Sequence, residues 1–198
     1  TCPERMEALV FGVADFAAFV ASPPCQAHSS LRFVTGIAYT DLIPATRDLL
    51  RLTGKPYVIE NVPGAPLGHW IFLCRTMFGL RVYRHRRFES SELMMQPDHP
   101  PHTAARGSGR GQTQRKAHYL AGGNVTITGN VGTYCGPAMA IDWMNGDELS
   151  QAIPPAYTYW VGCQLMLSLG HVPRQWPSAE MSVSDLQPTA DTLQSAEL

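Results

Sequence analysis

The stretch Phe16-Ala17-Ala18-Phe19-Val20-Ala21-Ser22-Pro23-Pro24-Cys25-Gln26 decides how this chain is read. A short apolar run ends in two prolines and then presents a thiol. Each proline fixes φ and removes a backbone donor, so the run cannot continue as a central strand. The pattern predicts a strand over residues 16–22 followed by a rigid turn carrying Cys25. That turn lies at the carboxyl end of a strand, where open α/β sheets build their sites. A free cysteine is commonly just a small buried hydrophobe. Here Gln26, His28, Ser29 and Ser30 put polar groups beside the sulfur, company that a buried structural thiol does not need.

A second strand signal follows at Lys55-Pro56-Tyr57-Val58-Ile59, running into Glu60-Asn61-Val62-Pro63-Gly64. Between the two, Leu42, Ile43, Leu49, Leu50 and Leu52 recur at roughly helical spacing, and Gly54 is a stop signal. The spacing predicts a helix over 40–53. Strand, helix, strand is a parallel unit, so both strands point their carboxyl ends the same way. Cys25 and Glu60 are therefore expected to share one cleft. A third signal is Val82-Tyr83-Arg84-His85-Arg86-Arg87-Phe88-Glu89. Alternation along a strand over 82–89 places Arg84 and Arg86 on one face and His85 and Arg87 on the other. A helix is predicted over 71–79.

The three signals Pro24-Cys25-Gln26, Glu60-Asn61-Val62 and Arg84-His85-Arg86, in this order, resemble the cytosine-5 DNA methyltransferases, particularly short bacterial and phage forms. The likeness extends over roughly residues 16 to 170. Thr40 to Arg47 looks like the helix after the family's catalytic loop. Ala140-Ile141-Asp142-Trp143-Met144 looks like the element after its recognition region, and Gln151 to Thr158 like its last motif. The resemblance implies an α/β fold: a partial, Rossmann-like, S-adenosylmethionine-dependent methyltransferase sheet with a small irregular target-recognition insertion. It implies a DNA (cytosine-5-)-methyltransferase in which Cys25 is the nucleophile and Glu60, Arg84 and Arg86 complete the catalytic set. Pro24, Gln151 and Ala152 are expected to contact S-adenosyl-L-methionine. Ser29, Ser30, Arg32, Arg87, Arg110 and Arg115 are expected to meet double-stranded DNA. The expected setting is the cytoplasm of a bacterial cell or phage-infected host.

Three departures from the family pattern stand out. No glycine-rich turn precedes Cys25, and the first residues offer only a possible short helix over 4–11. The expectation is an amino-terminally truncated chain, or half of a split gene whose partner chain supplies the cofactor-gripping segment. Val82 stands where the family has glutamine, and Ser150-Gln151 where it has Gly-Asn. The alternative reading is a catalytically inactive methyltransferase remnant with residual DNA binding. A cysteine hydrolase is a weaker fit, because His28 lies only three residues from Cys25 with no evident orienting partner.

Composition narrows the rest. With 198 residues the chain can bury one real core. No apolar run approaches the roughly 20 residues of a membrane span. Net charge is −1, but residues 81–116 hold eight basic residues against three acidic ones, a local +5, as phosphate contacts require. The five cysteines include no Cys-x-x-Cys pair, so no disulfide framework or zinc site is expected. His99 and His102 have only Asp98 beside them, and His28 and His85 read as hydrogen-bonding or phosphate-facing residues, so the expected metal content is none. The organisation expected is a catalytic part over 1–89 and a small recognition region over 90–135. The latter is read as irregular, with a hairpin near 125–131. Residues 136–170 then return to the catalytic domain through a proline-started helix, and 171–198 form a polar, disordered tail.

Overall fold

The computed structural model describes residues 12–29, 36–102, 112–127 and 135–173. Its main sheet has four strands in the order β1-β2-β5-β3. These are β1 (Phe19–Ala21), β2 (Tyr57–Asn61), β3 (Trp70–Leu73) and β5 (Arg86–Ser90). Strands β1 and β2 are parallel, with Phe19 opposite Tyr57 and Ala21 opposite Ile59. The connection between them carries α1 (Ile43–Leu52), so the strand-helix-strand unit read from the sequence is present. Gly54 ends that helix with φ of 65°, a left-handed conformation that only glycine adopts without strain.

The sheet is mixed. β5 runs antiparallel to both β2 and β3, with Glu60 opposite Phe88 and Leu73 opposite Arg86. All five residues of β2 are buried, as befits a central strand covered on both faces. On one face Tyr57 and Ile59 pack with Ile43 and Leu50 of α1. On the other, Val58, Ile71, Leu73 and Phe88 pack with Ala156, Tyr157, Val161 and Leu165 of α5 (Pro155–Ser168). Val58, Leu73, Phe88 and Tyr157 are all at most 2% exposed. Burying each aliphatic or phenyl side chain of this kind contributes about 1.5–3 kcal/mol. The architecture is thus α/β, a mixed sheet between helical layers.

A second, smaller unit is built on a parallel pair, β4 (Val82–Tyr83) and β6 (Val125–Thr126). Val82, Val125 and Ile127 form its core with Cys135, Met139, Ile141 and Leu149. The helices α2 (Gln112–Leu120), α3 (Cys135–Met139) and α4 (Gly146–Gln151) lie in this part of the chain. Asn145 caps α4, its side chain accepting from the amides of Asp147 and Glu148. Proline at the start of α5 is at home because the first turn needs no amide donor there.

Three sequence expectations are corrected. Residues 71–79 are not a helix: β3 is followed by a single 3-10 turn, Arg75–Met77. Trp70-Ile71-Phe72-Leu73 is a short apolar run, which periodicity alone cannot assign, and its aromatic and β-branched residues favour the strand once β5 is available to pair. The strand expected over 82–89 breaks at Arg84 and His85, so β4 and β5 belong to different sheets. The recognition region is not wholly irregular, because Gln112–Leu120 is helical; its Gln, Arg, Lys, Ala and Leu residues are good helix formers between glycine-rich flanks. Val125 pairs in parallel with Val82 of β4, and the far arm of the hairpin expected near 125–131 lies outside the described residues. Thr128 to Val131, the short helix over 4–11, and nearly all of the expected tail lie outside the described residues.

Candidate active-site cleft

Strand β1 delivers Ser22-Pro23-Pro24-Cys25 to the carboxyl end of the parallel pair β1 and β2. The carbonyl of Cys25 then accepts from the amides of both His28 (3.0 Å) and Ser29 (2.9 Å), coiling the chain into a tight turn. Two contacts hold that turn in place. Nδ2 of Asn61 donates to the carbonyl of Pro23 at 2.8 Å. Nε2 of His28 lies 2.9 Å from Oδ1 of Asp41, which also accepts from the Ile43 amide at the start of α1. Burial pushes the Asp41 carboxyl up, but the bonds from His28 and Ile43 outweigh it and leave the group below its ordinary range. Gly64 matters here because a Cβ at that position would sit 3.0 Å from the His28 carbonyl. A side chain at residue 64 would therefore have to push the turn after Cys25 away by a few tenths of an ångström.

Glu60 is the fourth residue of β2 and is 7% exposed. Its Oε1 lies 2.8 Å from Nε of Arg86. Burial raises its carboxyl above the ordinary value, against the opposing pull of Arg86, a hydrogen bond with Ser22, and Arg84. The result is a carboxyl more readily protonated than a surface glutamate. Arg84 is 4% exposed, and its Nη2 donates to the carbonyl of Ser150 at 2.9 Å. The Tyr157 hydroxyl donates to the Arg84 carbonyl at 2.8 Å. Burial first, and repulsion from Arg86 second, bring the Arg84 guanidinium down to about 10. Its Nε is buried without a hydrogen-bond partner among the described residues.

These residues enclose a single cavity of about 510 Å³, within the usual range of ligand pockets. Pro24, Cys25, Glu60, Arg84, Arg86 and Gln151 all line it, together with Ser29. The structure thus brings together the four residues read as catalytic, two of the three read as cofactor contacts, and one of those read as meeting DNA. Others fall elsewhere. Ala152 packs against the core of the smaller unit. Arg87 points away, its guanidinium 4.0 Å above the Trp70 ring. Arg115 lies on α2. Ser30, Arg32 and Arg110 lie outside the described residues.

Sequence reasoning passed over Ser22, Asn61, Tyr157 and the Ser150 carbonyl, which position the groups above. Asn61 was visible as the neighbour of Glu60, but its partner Pro23 is 38 residues away and only pairing of β1 with β2 brings them together. It also missed a separate cluster, formed by Cys74, His85, His99 and His102.

The family models, curated proteins and solved structures compared with this chain give no match. No helix among the described residues is long and apolar enough to cross a membrane.

Proposed function

We propose that this chain is the catalytic part of a DNA (cytosine-5-)-methyltransferase acting on a cytosine flipped out of the duplex. One observation carries the reading: Cys25, Glu60, Arg84 and Arg86, from three separate segments, line one cavity. The chemistry asks for that set. Carbon 5 of cytosine is a poor nucleophile, and adding a thiolate to carbon 6 converts the ring into an enamine-like species. Cys25 forms that sulfur–carbon bond. Glu60, whose burial favours its protonated form, delivers a proton to ring nitrogen 3 as the adduct forms. Arg84 and Arg86 hold the base carbonyl or the adjacent phosphate through charge-assisted bonds. After carbon 5 has reacted, loss of its proton and departure of the Cys25 sulfur restore the ring. A stacked base cannot reach these groups, hence the flipped cytosine.

S-adenosylmethionine would supply the methyl group. Pro24 and Gln151 on the cavity wall are the residues that would contact it, but the residues lining the cavity include no glycine and no carboxylate besides Glu60, and they do not make a complete cradle.

The test follows from the adduct. The chain is incubated with a duplex containing 5-fluorocytosine, with and without S-adenosylmethionine, and analysed by denaturing electrophoresis and mass spectrometry. A protein–DNA species mapped to Cys25 supports the reading. DNA binding without any adduct, and without exchange of the carbon 5 hydrogen of ordinary cytosine, supports the inactive remnant instead.

A further inference from the structure

We propose that Cys74, His85, His99 and His102 bind one zinc ion, in a closed site that staples residues 91–102 to the segment bearing Arg84 and Arg86. The antiparallel register of β3 and β5 runs from Trp70 opposite Glu89 to Leu73 opposite Arg86. Extended by one step, it sets Cys74 opposite His85, and side chains directly opposite each other in such a pair lie close together. His99 and His102 come from the segment after β5, held three residues apart by Pro100-Pro101.

Sγ of Cys74 is 3.0 Å from Nε2 of His102 and 3.1 Å from Nε2 of His85. Nε2 of His99 is 3.0 Å from Nε2 of His102. All four donor atoms lie within 4.8 Å of one another. Zinc bonds of about 2.0–2.1 Å to nitrogen and 2.3 Å to sulfur make a tetrahedron with edges of roughly 3.3–3.6 Å. Three of the donor pairs stand at 3.0–3.1 Å and none is wider than 4.8 Å, a spread that brackets those edges. One thiolate with three imidazoles is a donor set that suits zinc and disfavours magnesium or calcium. Four protein ligands leave no open position, so the site is structural.

The surroundings support a built site. The Thr76 hydroxyl lies 3.5 Å from the Cys74 sulfur, as expected of a group that orients a metal ligand. Cys74 is fully buried, and the Phe72 ring packs on those of His85 and His99. The segment carrying the last two ligands is anchored independently, by Gln96 on the Phe72 amide (2.9 Å) and by Trp160 on the Met95 carbonyl (3.0 Å). Because His85 lies between Arg84 and Arg86, a metal here holds the break between β4 and β5 that turns both arginines into the cavity.

The experiment measures metal directly and does not depend on the methyltransferase reading. The purified chain, dialysed against micromolar zinc and then metal-free buffer, is analysed for zinc by plasma mass spectrometry. It is then stripped and titrated with cobalt(II). About one zinc per chain is expected, with the visible bands of tetrahedral cobalt and a thiolate-to-cobalt charge-transfer band. Zinc at a hundredfold excess over its dissociation constant is expected to raise the thermal midpoint by about 5–10 °C. Cys74→Ser should abolish the charge-transfer band. His99→Asn, at an exposed position, should weaken cobalt binding at least tenfold while the chain stays folded by circular dichroism. Fewer than about 0.1 zinc per chain without tetrahedral cobalt bands, or undiminished cobalt binding in both variants, overturns the site.

Discussion

Replacing Glu60 with glutamine removes one ionisable proton from the cavity and almost nothing else. The amide keeps the volume of the carboxylate, and its oxygen can still accept from Nε of Arg86, now 2.8 Å from Oε1. Arg86 retains its bond to the His85 carbonyl at 2.8 Å, and Arg84 its bond to the Ser150 carbonyl at 2.9 Å. Stripping a partner from a buried ion pair costs about 3–5 kcal/mol when the remaining charge is stranded. Here neither guanidinium is stranded, and the carboxyl itself was disfavoured as an anion by burial. We therefore expect a stability loss of only about 1–3 kcal/mol, that of a weakened buried hydrogen bond. Reactivity should fall much further. A positioned general acid contributes about 10²–10⁴-fold, equivalent to about 3–5.5 kcal/mol of barrier. The assay is release of tritium to solvent from duplex DNA carrying 5-tritiated cytosine. This exchange needs addition of the thiolate and protonation of the ring but no methyl donor. Glu60→Gln should slow release by two to four orders of magnitude while DNA affinity stays within about threefold. Release within threefold of the native rate would refute the acid role. Equal losses in release and affinity would make Glu60 a structural residue.

Cys25→Ser should eliminate the 5-fluorocytosine adduct and leave the thermal midpoint nearly unchanged, because Cys25 is only half-buried; a loss of several kcal/mol in urea unfolding would return it to a packing role. Asn61→Ala should free the Pro23 carbonyl, costing about 1–3 kcal/mol and slowing tritium release beyond what the same instability produces at a remote core site; proportionate effects would deny Asn61 a part in holding the Cys25 turn. Glu89 receives both Nε (2.6 Å) and Nη2 (2.7 Å) of Arg47 and the Gly68 amide (2.7 Å). Burial pushes its carboxyl up, but these bonds outweigh it and hold it below the usual value. Its stabilisation is therefore present above the unfolded carboxyl range near pH 4.5 and is lost as pH falls through the folded value. Glu89→Gln should cost about 3 kcal/mol at pH 7, and the gap from the native chain should narrow below pH 4; a constant gap across that range would contradict the pairing.

Short-range features were legible in the sequence because one or two residues decide them. Pro23-Pro24 must end β1, Gly54 must end α1, and Pro154-Pro155 must open a helix, whatever surrounds them. The parallel β1-α1-β2 unit followed from periodicity, and with it the shared side of Cys25 and Glu60. What the tertiary structure decided were the features set by pairing between distant segments. Whether Trp70 to Leu73 is strand or helix depends on β5 lying beside it. The break at Arg84 and His85 exists because Val82 finds its partner in Val125, 43 residues on. Asn61 reaches Pro23 only once β2 lies beside β1. Cys74, His85 and the His99–His102 pair are widely spaced in the chain, so no spacing rule could join them; an antiparallel register and a packed loop do so, because a sheet sets neighbours by hydrogen-bonded alignment and not by order along the chain.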